Sequence, residues 1–88
     1  MQTSPLDTIR QKLGLQTVRE LAEVTGCRYH AVHQACRGMG PIPRAAYTPL
    51  QELGVDVPRL VEDHAAFVAD RAGQLRAALK ARLEGQAT

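Results

Sequence analysis

Residues 17–38, TVRELAEVTGCRYHAVHQACRG, decide the fold because they have the pattern of two short helices joined at a glycine. Thr17 can cap the first helix with its side chain, and Glu20 follows three residues later, as in a capping box. Gly26 stands where a left-handed backbone would end the first helix, and Gly38 has the same place after the second. The pattern predicts two helices that cross steeply through a tight turn.

The inner sides of these two helices are small and mostly apolar. Helices that cross steeply touch at few points, so the residue at the crossing must be small, and Ala22 meets that need. The side chains predicted to fill the angle between the helices are Leu21, Thr25, Cys27, Val32 and Ala35.

The outer side of the second helix carries polar side chains that form hydrogen bonds, and none of them is acidic. A helix with such a surface can enter the major groove of DNA and contact base edges. The alternative is an ordinary solvated helix face. The residues on this side are Arg28, Tyr29, His30, His33, Gln34 and Arg37.

The stretch resembles the helix-turn-helix of the phage-repressor family, the Cro and CI type also called XRE, and it is also similar to the Lac repressor head. The segment that follows favours the phage-repressor type, because a loop reaches Pro41, a helix ends at Gly54 and another opens at Asp56. The likeness covers residues 6–60. It implies an all-α, lambda-repressor-like domain of four to five helices, followed here by a long C-terminal helix.

The resemblance implies that the second helix of the pair reads bases. Gln34 can pair bidentately with adenine, and Tyr29 and His30 are versatile donors. Arg28 departs from the family, which usually has Ser or Thr at this position. Arginine cannot cap the helix by accepting a hydrogen bond, but it can contact a phosphate or a guanine. The predicted base-reading residues are Arg28, Tyr29, His30, His33 and Gln34.

Phosphate contacts are expected around the start of the first helix of the pair, whose free N–H groups form a positive end. Arg19 lies beside that end, and its alternative role is an ion pair with Glu23, four residues on. The predicted phosphate-contacting residues are Thr17, Arg19, Arg37 and Arg44.

Composition indicates a small helical protein, and its charge fits contact with phosphates and an ordinary mixed surface equally well. The chain of 88 residues is long enough for one domain, and aromatic residues make up only 3%, so the core must consist of Leu, Val, Ala and Ile. The net charge is +2, and residues 1–48, which contain the predicted helix-turn-helix, carry an excess of basic over acidic groups. The sequence shows no leader and no apolar run of the ~20 residues that span a bilayer, so we expect a cytoplasmic protein.

The first helix is predicted to begin at Pro5, with Ser4 as its N-cap and Asp7 in its first turn. Its apolar stripe ends before Gly14. Arg10 is expected to point outward from this helix.

Pro49 leaves two possibilities for the fourth helix. Either the helix is kinked at the proline, or it begins late as a short turn with Thr48 as N-cap. Tyr47, Leu50 and Leu53 are predicted to face the core.

The last helix is predicted to start at a cap on Asp56 and to run to Glu84, although Gly73 weakens it by about 1 kcal/mol. Leu60 and Phe67 can pack on the domain. This divides the chain into a helix-turn-helix domain, residues 1–60, and a C-terminal helix, residues 61–88.

Apolar residues recur along the last helix with spacings of four and three, as in a heptad pattern. So small a body cannot bury the far end of such a helix, so we expect a homodimer. The alternative is a hairpin in which the chain folds back at Gly73. The predicted interface residues are Val68, Ala72, Leu75 and Leu79.

Catalytic and metal chemistry are not expected. The sequence has no nucleophile beside a base and no glycine-rich phosphate loop. Cys27, His30, His33 and Cys36 recur every three residues, but successive members rotate by about 60° around a helix, so they do not converge on one ion.

The sequence therefore predicts a transcriptional regulator that binds specific double-stranded DNA without a cofactor. As a homodimer it would repress by occupying a pseudo-palindromic operator with half-sites about 34 Å apart, or a multiple of that distance. The alternative from another class is a protein–protein interaction module of antitoxin or adaptor type, in which the same fold binds protein.

Overall fold

A computed structural model describes residues 3–86 of the chain, and within that range every regular element is helical. The predicted all-α fold with a long C-terminal helix is confirmed. The elements are α1 (Pro5–Lys12), α2 (Val18–Thr25), α3 (Tyr29–Cys36), a 3₁₀ turn (Arg44–Ala46), α4 (Tyr47–Glu52) and α5 (Val57–Gln86).

The α2–α3 pair begins and ends as predicted. The Thr17 hydroxyl accepts a hydrogen bond of 3.1 Å from the Glu20 N–H, which caps α2. The capping box is only half formed, because the Glu20 carboxylate contacts the Thr17 hydroxyl at 3.4 Å rather than the backbone. Gly26 ends α2 with φ of 69° and Gly38 follows α3 with φ of 74°, so both glycines adopt the left-handed conformation that the chain needs there.

The core lies between α2 and α3 and extends to α1, α4 and the first turns of α5. Ala22 is buried at the helix crossing, and Thr25 donates its hydroxyl to the Leu21 carbonyl at 2.8 Å, so this buried polar group is satisfied. Cys27 is only half-buried. The buried apolar residues are Leu6, Leu21, Ala22, Val32, Ala35, Ile42, Ala46, Leu50, Val57 and Leu60.

The prediction that Arg10 points outward is wrong. Its Nε donates to Asp7 Oδ1 at 2.7 Å, and its Nη1 donates to the Leu15 carbonyl oxygen at 2.7 Å. The guanidinium therefore links α1 to the loop before α2, and its positive charge is paired with the carboxylate of Asp7.

Of the two possibilities left open for α4, the late start at Pro49 is wrong, because the helix spans Tyr47–Glu52 and contains the proline. The 3₁₀ turn leads directly into α4, so Pro49 falls in the first turn of the helix, where a backbone N–H would have no partner within the helix. Thr48 consequently lies inside α4 and is not its N-cap. Leu50 is fully buried and Tyr47 packs against the core, but Leu53, predicted to be internal, follows the last turn and is 48% exposed.

The helix α5 is continuous over 30 residues, so the hairpin at Gly73 is wrong. Asp56 caps it by accepting a hydrogen bond of 3.3 Å from the Arg59 N–H. The elements that precede α5 form the body of the molecule, and the first half of α5 packs on this body through Leu60, His64 and Phe67. Residues 74–85, by contrast, are all exposed. The helix is about 45 Å long, so its second half projects from a molecule whose extents are 55 × 23 × 20 Å.

His64 attaches α5 to the loop after α3. It is 1% exposed, and its Nε2 donates to the Gly40 carbonyl oxygen at 3.0 Å. Within residues 3–86, no helix combines the length and the apolar character needed to cross a membrane.

Candidate nucleic-acid interface

The outer side of α3 is open to solvent in the described part of the chain. Arg28, Tyr29 and His30 are exposed, while His33 and Gln34 are half-buried. Arg28 takes the N-cap position without making a side-chain cap hydrogen bond, as its chemistry requires. Four of the five predicted base-reading residues thus lie on α3, which contains no acidic residue, and Arg28 lies at its N-cap.

Three of the predicted DNA-contacting side chains form a stack between α2 and α3. The Arg19 guanidinium carbon lies 4.9 Å from the centre of the Tyr29 ring, a cation–π contact. On α3, the Tyr29 and His33 rings are stacked with centroids 5.4 Å apart and planes inclined by 23°. Arg19 therefore lies at the Tyr29 ring, and no ion pair with Glu23 forms among residues 3–86.

A second pair of side chains runs parallel to this stack. The Gln34 side-chain nitrogen lies 3.1 Å from Nε2 of His30, one helical turn earlier. Because an amide nitrogen only donates, Nε2 of His30 accepts and the ring proton belongs on Nδ1. The bond orients Gln34 while leaving its carbonyl oxygen and a second N–H for a bidentate contact.

His33 is placed less favourably for base reading than the other four. It is half-buried, and its Nδ1 is buried without a hydrogen-bond partner among residues 3–86. Its ring is instead held by stacking on Tyr29. The geometry suits a residue that supports Tyr29.

The predicted phosphate-contacting residues border α3 at different points. Arg37 is exposed at the C-terminal end of α3, and Arg44 is exposed at the start of the 3₁₀ turn. Thr17 is exposed, but its hydroxyl is engaged by Glu20. The Glu20 carboxylate weakens the positive end of α2 as an anion site, so Arg19, Arg37 and Arg44 are better placed for phosphates.

The contact that fixes the far end of α3 was not predicted. Ser4 was expected only to cap α1, and it does accept from the Asp7 N–H at 3.1 Å. Its hydroxyl also donates to the Cys36 carbonyl oxygen at 2.7 Å, 32 residues away in the chain. One buried serine therefore satisfies the start of one helix and the end of another, and no local pattern could reveal the second bond.

Cys36 lies at this junction and is half-buried. Burial, and to a smaller degree the nearby carboxylate of Asp7, raises the pKa of Cys36 to about 11. The thiol stays protonated and unreactive at neutral pH. Cys27 and Cys36 are both free thiols.

The predicted interface on α5 divides into two parts. Val68 and Ala72 are half-buried beside the body, whereas Leu75 and Leu79 are 50% and 54% exposed on the projecting half. Leu83, which the predicted heptad stripe omitted, is 66% exposed one turn further on.

Two grooves flank α5, and of the outer residues of α3 only Arg37, at the end of the helix, lines one of them, the smaller. The larger, about 940 Å³, lies between α1 and α5, with an apolar floor that includes Ile9 and Leu13. The smaller, about 570 Å³, lies where α1, α5 and the end of α3 meet. In the described range, no three His, Cys, Asp or Glu side chains come together as a metal site would require.

The fold and this surface define the class of the molecule as a small all-α protein with one long projecting helix. Comparisons with protein-family models, with curated proteins and with solved structures found nothing that matches the chain. A function must therefore be argued from the α3 surface and α5 themselves.

Proposed function

We propose that the chain is a sequence-specific double-stranded DNA-binding regulator of the phage-repressor type, acting in the cytoplasm as a homodimer that represses transcription. The observation that carries the proposal is the outer side of α3, an exposed helix surface rich in hydrogen-bonding groups and free of acids. An α-helix of this kind fits the width of the major groove.

The proposed division of roles follows the side chains. Gln34, oriented by His30, contacts an adenine, and Arg28 at the exposed start of α3 contacts a guanine or a phosphate. Arg19, placed on the Tyr29 ring, and Arg37 at the opposite end of α3 hold the two phosphate strands that border the groove.

Dimerisation through α5 would make the DNA site two-fold symmetric. A single α3 of eight residues contacts few base pairs, so two copies are needed for useful specificity. The exposed leucines on the projecting half of α5 support this arrangement, because apolar side chains stabilise a protein when they are buried, and a dimer interface would bury them.

Selection of bound sequences from random duplex DNA tests the proposal. The expected result is a pseudo-palindromic site whose affinity falls steeply with salt. Gln34→Ala should relax the preference at one position by about 1 to 3 kcal/mol, whereas Arg37→Ala should weaken all sequences alike.

Lys12→Ala is the matched control, because Lys12 is an exposed cation that lines the α1–α5 groove instead of the α3 surface. It should leave the selected sequence and most of the affinity unchanged. Absence of duplex binding, or binding that ignores Arg28, Gln34 and Arg37, would contradict the proposal and favour the protein-interaction alternative.

A further inference from the structure

One apolar stripe follows α5 from the body to its projecting half. Its residues fall within about 80° of one another around the helix, and Ala65 is exposed between the half-buried Val61 and Val68. The stripe is thus accessible along much of its length, including beside the body. Its members are Val61, Ala65, Val68, Ala72, Leu75 and Leu79.

We infer that two copies of the chain pair antiparallel along this stripe, with the two-fold axis beside residue 70. The inference rests on the homodimer of the proposed function and adds its orientation and register. Each copy lays the projecting half of its α5 against the first half of the partner's α5.

The side-chain sizes match in this register. Leu75 of one copy lies opposite the small, exposed Ala65 of the other, and Leu79 lies opposite Val61. At the centre, Val68 and Ala72 pair with each other across the axis. Large residues meet small ones in two of these layers, which lets the helices approach closely, and Leu75 and Leu79, which a single chain leaves exposed, are covered.

Charges flanking the stripe favour the same orientation. Glu62 and Arg76 lie on the same flank and are exposed, and neither makes an ion pair within residues 3–86 of its own chain. In the antiparallel register, Glu62 of each copy lies within one helical turn of Arg76 of the other, so two opposite-charge pairs form.

A parallel pair would set like charges together instead. Heptad geometry brings Arg71 of each copy beside Arg76 of the other, which gives two repulsive pairs and no attractive one. In the antiparallel pair only the two Arg71 residues meet near the axis, and the Arg71 side chain is directed toward Gly38 on the body.

The shape of the molecule agrees with the antiparallel arrangement. A parallel pair would bring two bodies together beside the first halves of their α5 helices, where Val61 and Val68 are already half covered. An antiparallel pair brings only a single slender helix to each body, because residues 74–85 are exposed on the projecting half of α5.

Sedimentation equilibrium at low salt and without DNA tests the orientation through reversed charges. Arg76→Glu should raise the dimer dissociation constant about tenfold, since the new carboxylate lies beside that of Glu62 at two symmetric places. Glu62→Arg should have a similar effect, and the double variant should restore the wild-type constant to within about threefold. Arg59→Glu is the control, because it makes the same charge change at an exposed position on the side of α5 opposite the stripe.

The opposite sign would reveal the parallel pair, because Arg76→Glu would then remove a repulsion from Arg71 and strengthen the dimer. That result would overturn the inference, as would an Arg76→Glu effect no larger than that of Arg59→Glu, or a wild-type chain that stays monomeric. Because no DNA is present, these outcomes are independent of whether α3 binds a duplex.

Discussion

At the scale of single residues, the junction of α1, α3 and α5 depends on two small side chains. Ser4 joins the start of α1 to the end of α3 through its hydroxyl, and Gly38 lets α5 approach the turn after α3. A methyl group at position 38 would lie 2.5 Å from Cε1 of Phe67, a distance that no relaxed structure tolerates. These residues set how α3 is held on the body, although neither belongs to its outer surface.

Gly38→Ala should therefore destabilise the fold by more than the cost of holding an alanine in the left-handed backbone conformation. We expect a loss of roughly 2 to 4 kcal/mol in the free energy of unfolding, from backbone strain plus the overlap with Phe67. Gly14→Ala is the matched control, since Gly14 has φ of 76° but no atom within 4 Å of an added methyl, and it should cost about 1 kcal/mol. Urea unfolding measures both, and equal losses would show that the contact with Phe67 is unimportant.

The raised pKa of Cys36 predicts a dependence of stability on alkaline pH. The folded chain holds the thiol proton more tightly than the unfolded chain, so this contribution is complete below pH 9 and is lost as the pH rises toward 11. Between pH 8 and 11, the wild type should lose roughly 1 kcal/mol more free energy of unfolding than Cys36→Ala. The figure is smaller than the full pKa shift implies because the thiol is partly exposed to solvent. Parallel pH profiles of the two proteins would contradict this.

At the scale of elements, the α2–α3 pair is the part that the sequence predicted best. Its caps and glycine stops are local, so Thr17, Gly26 and Gly38 could be interpreted from their neighbours. The contacts that the sequence could not reveal, such as Arg19 on Tyr29, join different elements and depend on how the helices cross. The start of α4 stayed open between two possibilities for a related reason, because the 3₁₀ turn that precedes it sets the start at Tyr47.

The stack of Arg19 on Tyr29 predicts that the two residues are coupled in DNA binding. If Tyr29 positions Arg19, then Arg19→Ala and Tyr29→Ala should together cost about 1 kcal/mol less than the sum of their separate effects on affinity. A double-mutant cycle on the selected duplex measures this. Arg19 with Arg44 is the control pair and should be additive, and additivity of Arg19 with Tyr29 would refute the coupling.

At the scale of the whole molecule, the two halves of α5 have different surroundings. Its first half completes the core, and its second half projects with three exposed leucines. The heptad spacing predicted a continuous helix and an interface, and the continuity is confirmed. Leu53 was wrongly assigned to the core because it follows Leu50 at helical spacing, although α4 ends before that position is covered.

Leu75→Asp combined with Leu79→Asp should abolish the dimer while leaving the body folded, because both residues lie beyond the core. Light scattering would then report a monomer, and circular dichroism would retain the helices of the body. Ala77→Asp is the control, since Ala77 is exposed on the opposite side of α5. A double aspartate variant that still forms dimers would exclude α5 as the interface.

Contact between the outer side of α3 and duplex DNA is tested most directly by amide chemical-shift mapping. On titration of the labelled chain with a selected duplex, the largest changes should fall at residues 17–19 and 28–37, with a smaller set at Arg44. Residues 74–85 should change little, because they lie on the projecting half of α5. Changes concentrated along the α1–α5 groove, or none at residues 28–37, would contradict the proposed role of α3.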